Sequence, residues 1–338
     1  MMPFRSPATW LGGAAVAILL AAMTPAATAD VKLAEGVLDA IVKLKVEVPN
    51  DARSAETLGT EREGSGVLID ADGLIVTIGY LIMEARQVEL ETSEGRTIPA
   101  SVVAYDYDSG FGLVRAQTPL KQTPMQLGQS RGLKERTPVV AASYGGADSA
   151  IGAYVVSRRT FAGYWEYMLE DAIFTAPAHP QFGGAALIGE DGALLGIGSL
   201  IVGDAFRASS SPIPGNMFLP IDALKPILGD MLARGRPAAK SKPWIGVSSE
   251  VVHGRIFITR VQKESPAAQA GLTPGDLLLA VSGQPVDSLE SFYRKLWSLG
   301  EGGVEVPLTV LKGSSAAPSE VRVRSVDRYK FLKLNQTY

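Results

Sequence analysis

The chain has 338 residues, of which 46% are hydrophobic and 20% charged, and its formal net charge is −3. It is long enough for two or three domains with real cores, and it lacks the basic excess that grips phosphates, so neither nucleic acid nor an anionic membrane surface is an expected partner. Cysteine is absent, which excludes disulfides, thiolate metal sites and thiol nucleophiles. His179 and His253 are far apart and in no metal-ligand spacing, so no metal or other cofactor is expected.

Residues 1–29 read as a cleavable signal peptide. Arg5 supplies a positive charge, "LGGAAVAILLAAM" follows as an apolar stretch, and Ala27 and Ala29 place small side chains before Asp30. That stretch is well short of the roughly 20 residues a spanning helix needs. Export to a bacterial periplasm, with no stable membrane insertion after cleavage, is therefore the expected destination; an exported chain of this size without disulfides fits that compartment.

From there the pattern is mostly strands. "GVLIDADGLIVTIGY" (Gly66 to Tyr80) is two apolar runs around a DADG turn, and "RQVELETSEGRTIPASVVAYD" repeats the design around Glu94-Gly95, with Val88 and Leu90 alternating against polar neighbours. "FGLVRA", "TPVVAASYGG", "IGAYVVSRRTF" and "ALLGIGSLIV" continue it. Many short strands with glycine-bearing turns predict an antiparallel barrel or sandwich. Between two such runs lies "HPQFGGAAL" (His179 to Leu187), a glycine-rich loop of the kind that mounts a nucleophile, yet without Ser, Thr or Cys. "PIDALKPILGDMLARG" then switches to a helical period, with Ile221, Leu224, Ile227, Leu228 and Met231 on one face and Gly235 as the stop.

This first domain is expected over 30–232, and the polar, proline-bearing "RGRPAAKSKP" marks a linker at 233–243. A second domain follows over 244–328, with a tail at 329–338. Within it "SLESFYRKLWSL" carries Leu289, Phe292, Leu296 and Leu299 at helical spacing.

"SPAAQAGLTPGDLLLAVSGQPV" (Ser265 to Val286) resembles the signature of bacterial PDZ domains almost position for position, and "WIGV" stands where that family has its carboxylate-binding loop. The resemblance implies that Trp244, Ile245, Gly246 and Val247 form a nest of backbone N–H groups for a terminal carboxylate. It also implies that the adjacent strand edge accepts an extended peptide, and that Phe292 and Leu296 line the pocket wall. The preceding domain resembles the trypsin-like part of the HtrA (Do-like) serine proteases. The resemblance runs through "EGSGVLIDADGLIVTIGYLI", "ASVVAYDYDSGFGLVRA", "QLGQSRGLKERTPVVAASYG" and the glycine-rich loop. It implies a mainly β fold: a trypsin-like double β-barrel followed by an α+β, partly open PDZ barrel.

The departures fall on the chemistry. By this resemblance the family's catalytic histidine position holds Tyr80, its aspartate position Gly110 and its serine position Gly183. A Ser-His-Asp mechanism needs a hydroxyl to attack, an imidazole to move the proton and a carboxylate to orient it. Losing the first two alone costs around a millionfold. No catalytic residue is therefore expected. The oxyanion hole is also in question, since Gln181 and Phe182 replace the family's glycine and asparagine; Phe182 either faces the cleft mouth or packs into the barrel. His179 is read as a polar loop residue, and Ser199 sits one strand further on. The expected function is a catalytically inactive, periplasmic HtrA-like protein that holds peptide segments or C-termini through its PDZ domain. It would act as adaptor, chaperone-like holder or regulator in envelope protein quality control, with an active protease of the same family among its candidate partners. The alternative is an active serine endopeptidase using non-standard residues.

Overall fold

In a computed structural model the described residues are 31–207, 211–313 and 315–332. The expected signal peptide and the last six residues of the expected tail lie outside them. No helix among the described residues is long and apolar enough to cross a membrane.

Twelve strands build the first domain. β1 (Ile41–Glu47), β2 (Glu61–Leu68), β3 (Leu74–Ile78), β4 (Gln87–Glu91), β5 (Thr97–Tyr105) and β6 (Phe111–Ala116) close into one antiparallel barrel in the order β1-β2-β3-β6-β5-β4. β7 (Pro138–Ala142), β8 (Ala150–Gly163), β9 (Tyr167–Ala176), β10 (Ala186–Ile188), β11 (Leu194–Phe206) and β12 (Ile213–Pro220) close the second, in the order β10-β11-β12-β9-β8-β7. Closure leaves no free sheet edge on either. The first hairpin turns where expected: the Asp70 carboxylate accepts the Leu74 N–H at 2.7 Å, and Val67 pairs with Val76. Alternate residues of β1 and β4, among them Leu44, Val46, Val88 and Leu90, point inward to a core that runs through both barrels.

Two one-turn helices, α1 (Ala55–Leu58) and α2 (Gly79–Ile82), decorate the first barrel, and α3 (Ile221–Arg234) follows the second. α3 buries Ile221, Leu224 and Met231, while Gly235 takes the left-handed conformation and returns its N–H to the Met231 carbonyl at 2.9 Å. The helix thus runs two residues into the expected linker.

The second domain starts with β13 (Pro243–Trp244) and β14 (Val247–Val252), continues through β15 (Arg255–Val261), α4 (Pro266–Gln269), β16 (Leu277–Val281), β17 (Gln284–Pro285), α5 (Leu289–Ser298), β18 (Glu305–Leu311) and β19 (Ser319–Arg324), and closes with β20 (Val326–Asp327) beside β13. Its core, with Ile245, Ile256, Phe292, Leu296, Val306 and Val310, is separate from that of the barrels. α5 begins with a reciprocal Ser288–Ser291 cap. Of the expected tail, Tyr329 to Phe331 belong to α6 (Arg328–Phe331), and Tyr329 donates its hydroxyl to the Tyr105 carbonyl at 3.1 Å, tying the second domain to the first barrel.

Candidate functional site

The three positions that would carry a triad do converge. α2 presents Tyr80, the turn before β6 presents Gly110, and the loop before β10 presents Gly183. A Cβ on Gly183 would stand 3.1 Å from the Tyr80 hydroxyl, and the Gly110 carbonyl accepts the Gly79 N–H at 2.7 Å. Each of the three corners is engaged in structural contacts. Tyr80 donates its hydroxyl to the Ser199 carbonyl at 3.0 Å, and burial pushes its pKa well above the ordinary phenol value, so it keeps its proton. Buried Arg62 fastens α2 by donating to the carbonyls of Tyr80 (2.8 Å) and Met83 (2.9 Å); loss of hydration lowers its pKa to about 10. Gly110 has φ +85°, and the space its side chain would take is filled by the Tyr167 hydroxyl, 3.0 Å from the Cβ position.

The glycine-rich loop is built for packing. His179, expected as a polar loop residue, is only 2% exposed and acts as a strut. Its N–H donates to Asn216 Oδ1 (2.6 Å), its Nε2 meets the Ser149 carbonyl (2.9 Å), and its Nδ1 accepts from the Gln181 N–H (3.1 Å). Those partners fix the proton on Nε2 and occupy both ring nitrogens. The Gln181 N–H is thereby committed to the imidazole. The Gly183 carbonyl accepts the Ser65 N–H at 2.8 Å, and the Gly184 N–H goes to the Gly198 carbonyl at 2.9 Å. Phe182 faces the cleft mouth, where it lines a cavity of about 830 Å³ between the barrels and the second domain, along with Tyr80, Trp165, Leu200 and Val247. Among the described residues no imidazole nitrogen is bonded to a serine or threonine hydroxyl.

In the second domain the N–H groups of Ile245, Gly246 and Val247 converge on one point, and among the described residues no hydrogen bond of the Trp244 N–H joins them. They converge on a carboxylate of the chain itself. Glu166, at the tip of the β8–β9 hairpin, accepts all three, at 3.0, 2.6 and 2.8 Å. Beside it the Ser249 N–H of β14 donates to the Tyr164 carbonyl at 2.8 Å, and Tyr293 of α5 donates its hydroxyl to the Gly163 carbonyl at 2.6 Å while accepting the Glu166 N–H at 3.1 Å. Burial raises the Glu166 pKa to about 7, against the three N–H donors and the Arg328 charge, which favour the ionised form.

Phe292 and Leu296 are fully buried in the domain core, and the neighbouring Tyr293 makes the polar contacts to the hairpin. Trp244 is buried with its ring 4.6 Å from that of Phe331. Gly246 has φ +86°, and a Cβ there would come within 2.3 Å of Ser265 Cβ, so a side chain at this position would deform the loop as well as fill the pocket. Glu166 and Tyr293 were missed from sequence. The one signal was the tip itself, "GYWEY", a turn with three aromatic residues, which is unusual for a surface hairpin.

A closed trypsin-like double barrel followed by a PDZ domain defines the class of protein. Family models agree: residues 64–197 match the trypsin-like peptidase domain and residues 257–312 a PDZ domain. The chain thus carries a trypsin-like peptidase domain followed by a PDZ domain, and it is similar to DegP-type serine proteases. It is 28% identical over 323 residues to the serine protease PepD of Mycobacterium tuberculosis, covering 88% of this chain and 67% of PepD. It is 26% identical over 255 residues to the periplasmic serine endoprotease DegP of Escherichia coli K12, covering 71% of this chain and 52% of DegP. The chain thus spans about half the length of the DegP relatives. Among solved structures, the HtrA-type protease AlgW with a decapeptide superposes with a TM-score of 0.50 at 19% identity, over 86% of this chain and 95% of that one. The serine endoprotease from Yersinia pestis gives 0.50 at 18%, over 88% and 99%. These two likenesses concern the fold.

Proposed function

We propose that this chain is a non-cleaving member of its family, which captures extended segments or free C-termini in the groove between β14 and α5 and acts in envelope protein quality control as adaptor, holder or regulator. The observation that carries the reading is the pair of positions 80 and 183. One holds a phenol committed to the Ser199 carbonyl and the other has no side chain, so neither a nucleophile nor a base faces a scissile carbonyl. The convergent N–H groups of Ile245, Gly246 and Val247 support carboxylate recognition. An active relative of the same family is a fitting partner, and periplasmic export fits the named location of the DegP relatives.

Capture is tested on the full chain with fluorescent decapeptides ending in a free carboxylate or in an amide. Carboxylate-dependent binding without shortening of the peptide is the expected result. Cleavage of the peptide, or equal binding of acid and amide, would count against the reading.

A further inference from the structure

We infer that the groove of the PDZ domain is closed by an internal ligand: the tip of the β8–β9 hairpin occupies the place of a partner's C-terminus, and a partner with a free terminal carboxylate binds by displacing it. This rests on the capture reading above and assigns its regulation.

The tip imitates a bound peptide in three separate ways. The Glu166 side-chain carboxylate sits in the loop nest, with both oxygens taken by the N–H groups of Ile245, Gly246 and Val247 at 2.6 to 3.0 Å. Its neighbour Tyr164 offers a carbonyl to the Ser249 N–H of β14, the contact an added strand would make with that edge. From the opposite wall, Tyr293 of α5 brackets the tip through Gly163 and Glu166.

The mimicry is specific to a carboxylate. Glu166 is 5% exposed and Tyr293 fully buried, so the contact excludes water. An acid placed there without these donors would suffer the full loss of hydration. The strand pairing and the tyrosine bracket come from backbone groups, which any extended peptide also offers. A free C-terminus therefore reproduces the whole set, whereas an amidated end keeps the strand pairing and loses the anionic head. Because the tip is tethered, it competes at a high effective concentration, and a partner's apparent affinity falls in proportion to the fraction of open groove.

Displacement also has a route to the vacated cleft. The same hairpin carries Trp165 on the cavity wall, and Tyr167, whose hydroxyl donates to the Ser109 carbonyl at 3.0 Å next to Gly110. Lifting the tip disturbs both.

Two readouts on the full chain separate this inference from the capture reading. Hydrogen exchange at the Ile245–Val247 amides should be slow in the wild type and at least tenfold faster in Glu166→Ala. Glu166→Gln, which keeps the shape of the side chain, and Tyr293→Phe, which removes only a hydroxyl, repeat the measurement if the alanine variant is unstable. Unchanged exchange in all three would overturn the internal ligand. Binding of a labelled decapeptide with a free carboxylate should then be at least tenfold tighter to Glu166→Ala than to the wild type, and the amidated peptide should bind neither. Equal, carboxylate-dependent affinity in both proteins overturns the closure and leaves capture standing. Faster exchange in the variant with no binding to either protein upholds the internal contact and overturns capture by displacement.

Discussion

Position 110 leaves little room for a carboxylate side chain. Gly110 is held at φ +85°, a region that costs a side-chain-bearing residue about 1–3 kcal/mol, and its Cβ position lies 3.0 Å from the Tyr167 hydroxyl. The Gln181 N–H is likewise committed to His179. Restoring all three residues, Tyr80→His with Gly110→Asp and Gly183→Ser, is therefore expected to yield a protein that a fluorophosphonate does not label, read by intact mass; stoichiometric labelling would show that the cleft is still competent. Glu166 makes a second prediction at this scale. Its pKa is about 7 in the docked tip against an ordinary value of 4.5. The docked form therefore takes up a proton in that window which the open form does not. Docking strengthens as pH falls from about 7 towards 4.5 and is weakest above 7. Arg328 and the Tyr293 hydroxyl are the charged and titratable groups facing the carboxyl, and burial raises the tyrosine pKa far above that window. Affinity for a free-carboxylate peptide should accordingly drop more between pH 8 and pH 5.5 in the wild type than in Glu166→Gln, and parallel profiles would refute it.

Among the elements, the glycine-rich loop is the one whose purpose the missing nucleophile puts in question, and its geometry answers that it is a joint. Gly184 has φ +76°, and a Cβ there would lie 1.9 Å from the Ser65 carbonyl oxygen, so the loop lies directly on β2 of the other barrel. Gly184→Ala should cost at least about 3 kcal/mol by strain and overlap. Gly203→Ala, in open space on β11, should be close to neutral. Urea unfolding compares the two, and equal midpoints would mean that the barrels do not meet through this loop. The elements themselves were largely legible. Two apolar runs around a DADG turn mark the hairpin at Asp70–Gly73, and the 3.6-residue stripe with Gly235 marks α3, because both are local patterns. His179 was read as a polar loop residue because its partners, Asn216 and Ser149, are 37 and 30 residues away and follow no period.

For the whole molecule the same limit decides what the sequence withheld. Domain order follows from motif order, but the contact that joins the domains links Glu166 to Ile245, 79 residues apart, and no periodicity reports it. Ion pairs such as Arg53–Glu264 (3.1 Å) and Arg260–Glu56 (3.0 Å) span the same junction, but they are solvent-accessible and each is worth roughly 0–1 kcal/mol. The buried carboxylate, the aromatic tip and the Tyr329 strap therefore dominate the docking. In the proposed reading the molecule offers as a unit a peptide groove with its own ligand in place, mounted on a barrel pair that does not cleave. Turnover is the most direct measurement of that description. The purified chain is incubated with an unfolded protein substrate, and the products are followed by mass spectrometry. The account predicts intact substrate; fragments whose appearance a serine-directed phosphonate abolishes would contradict it.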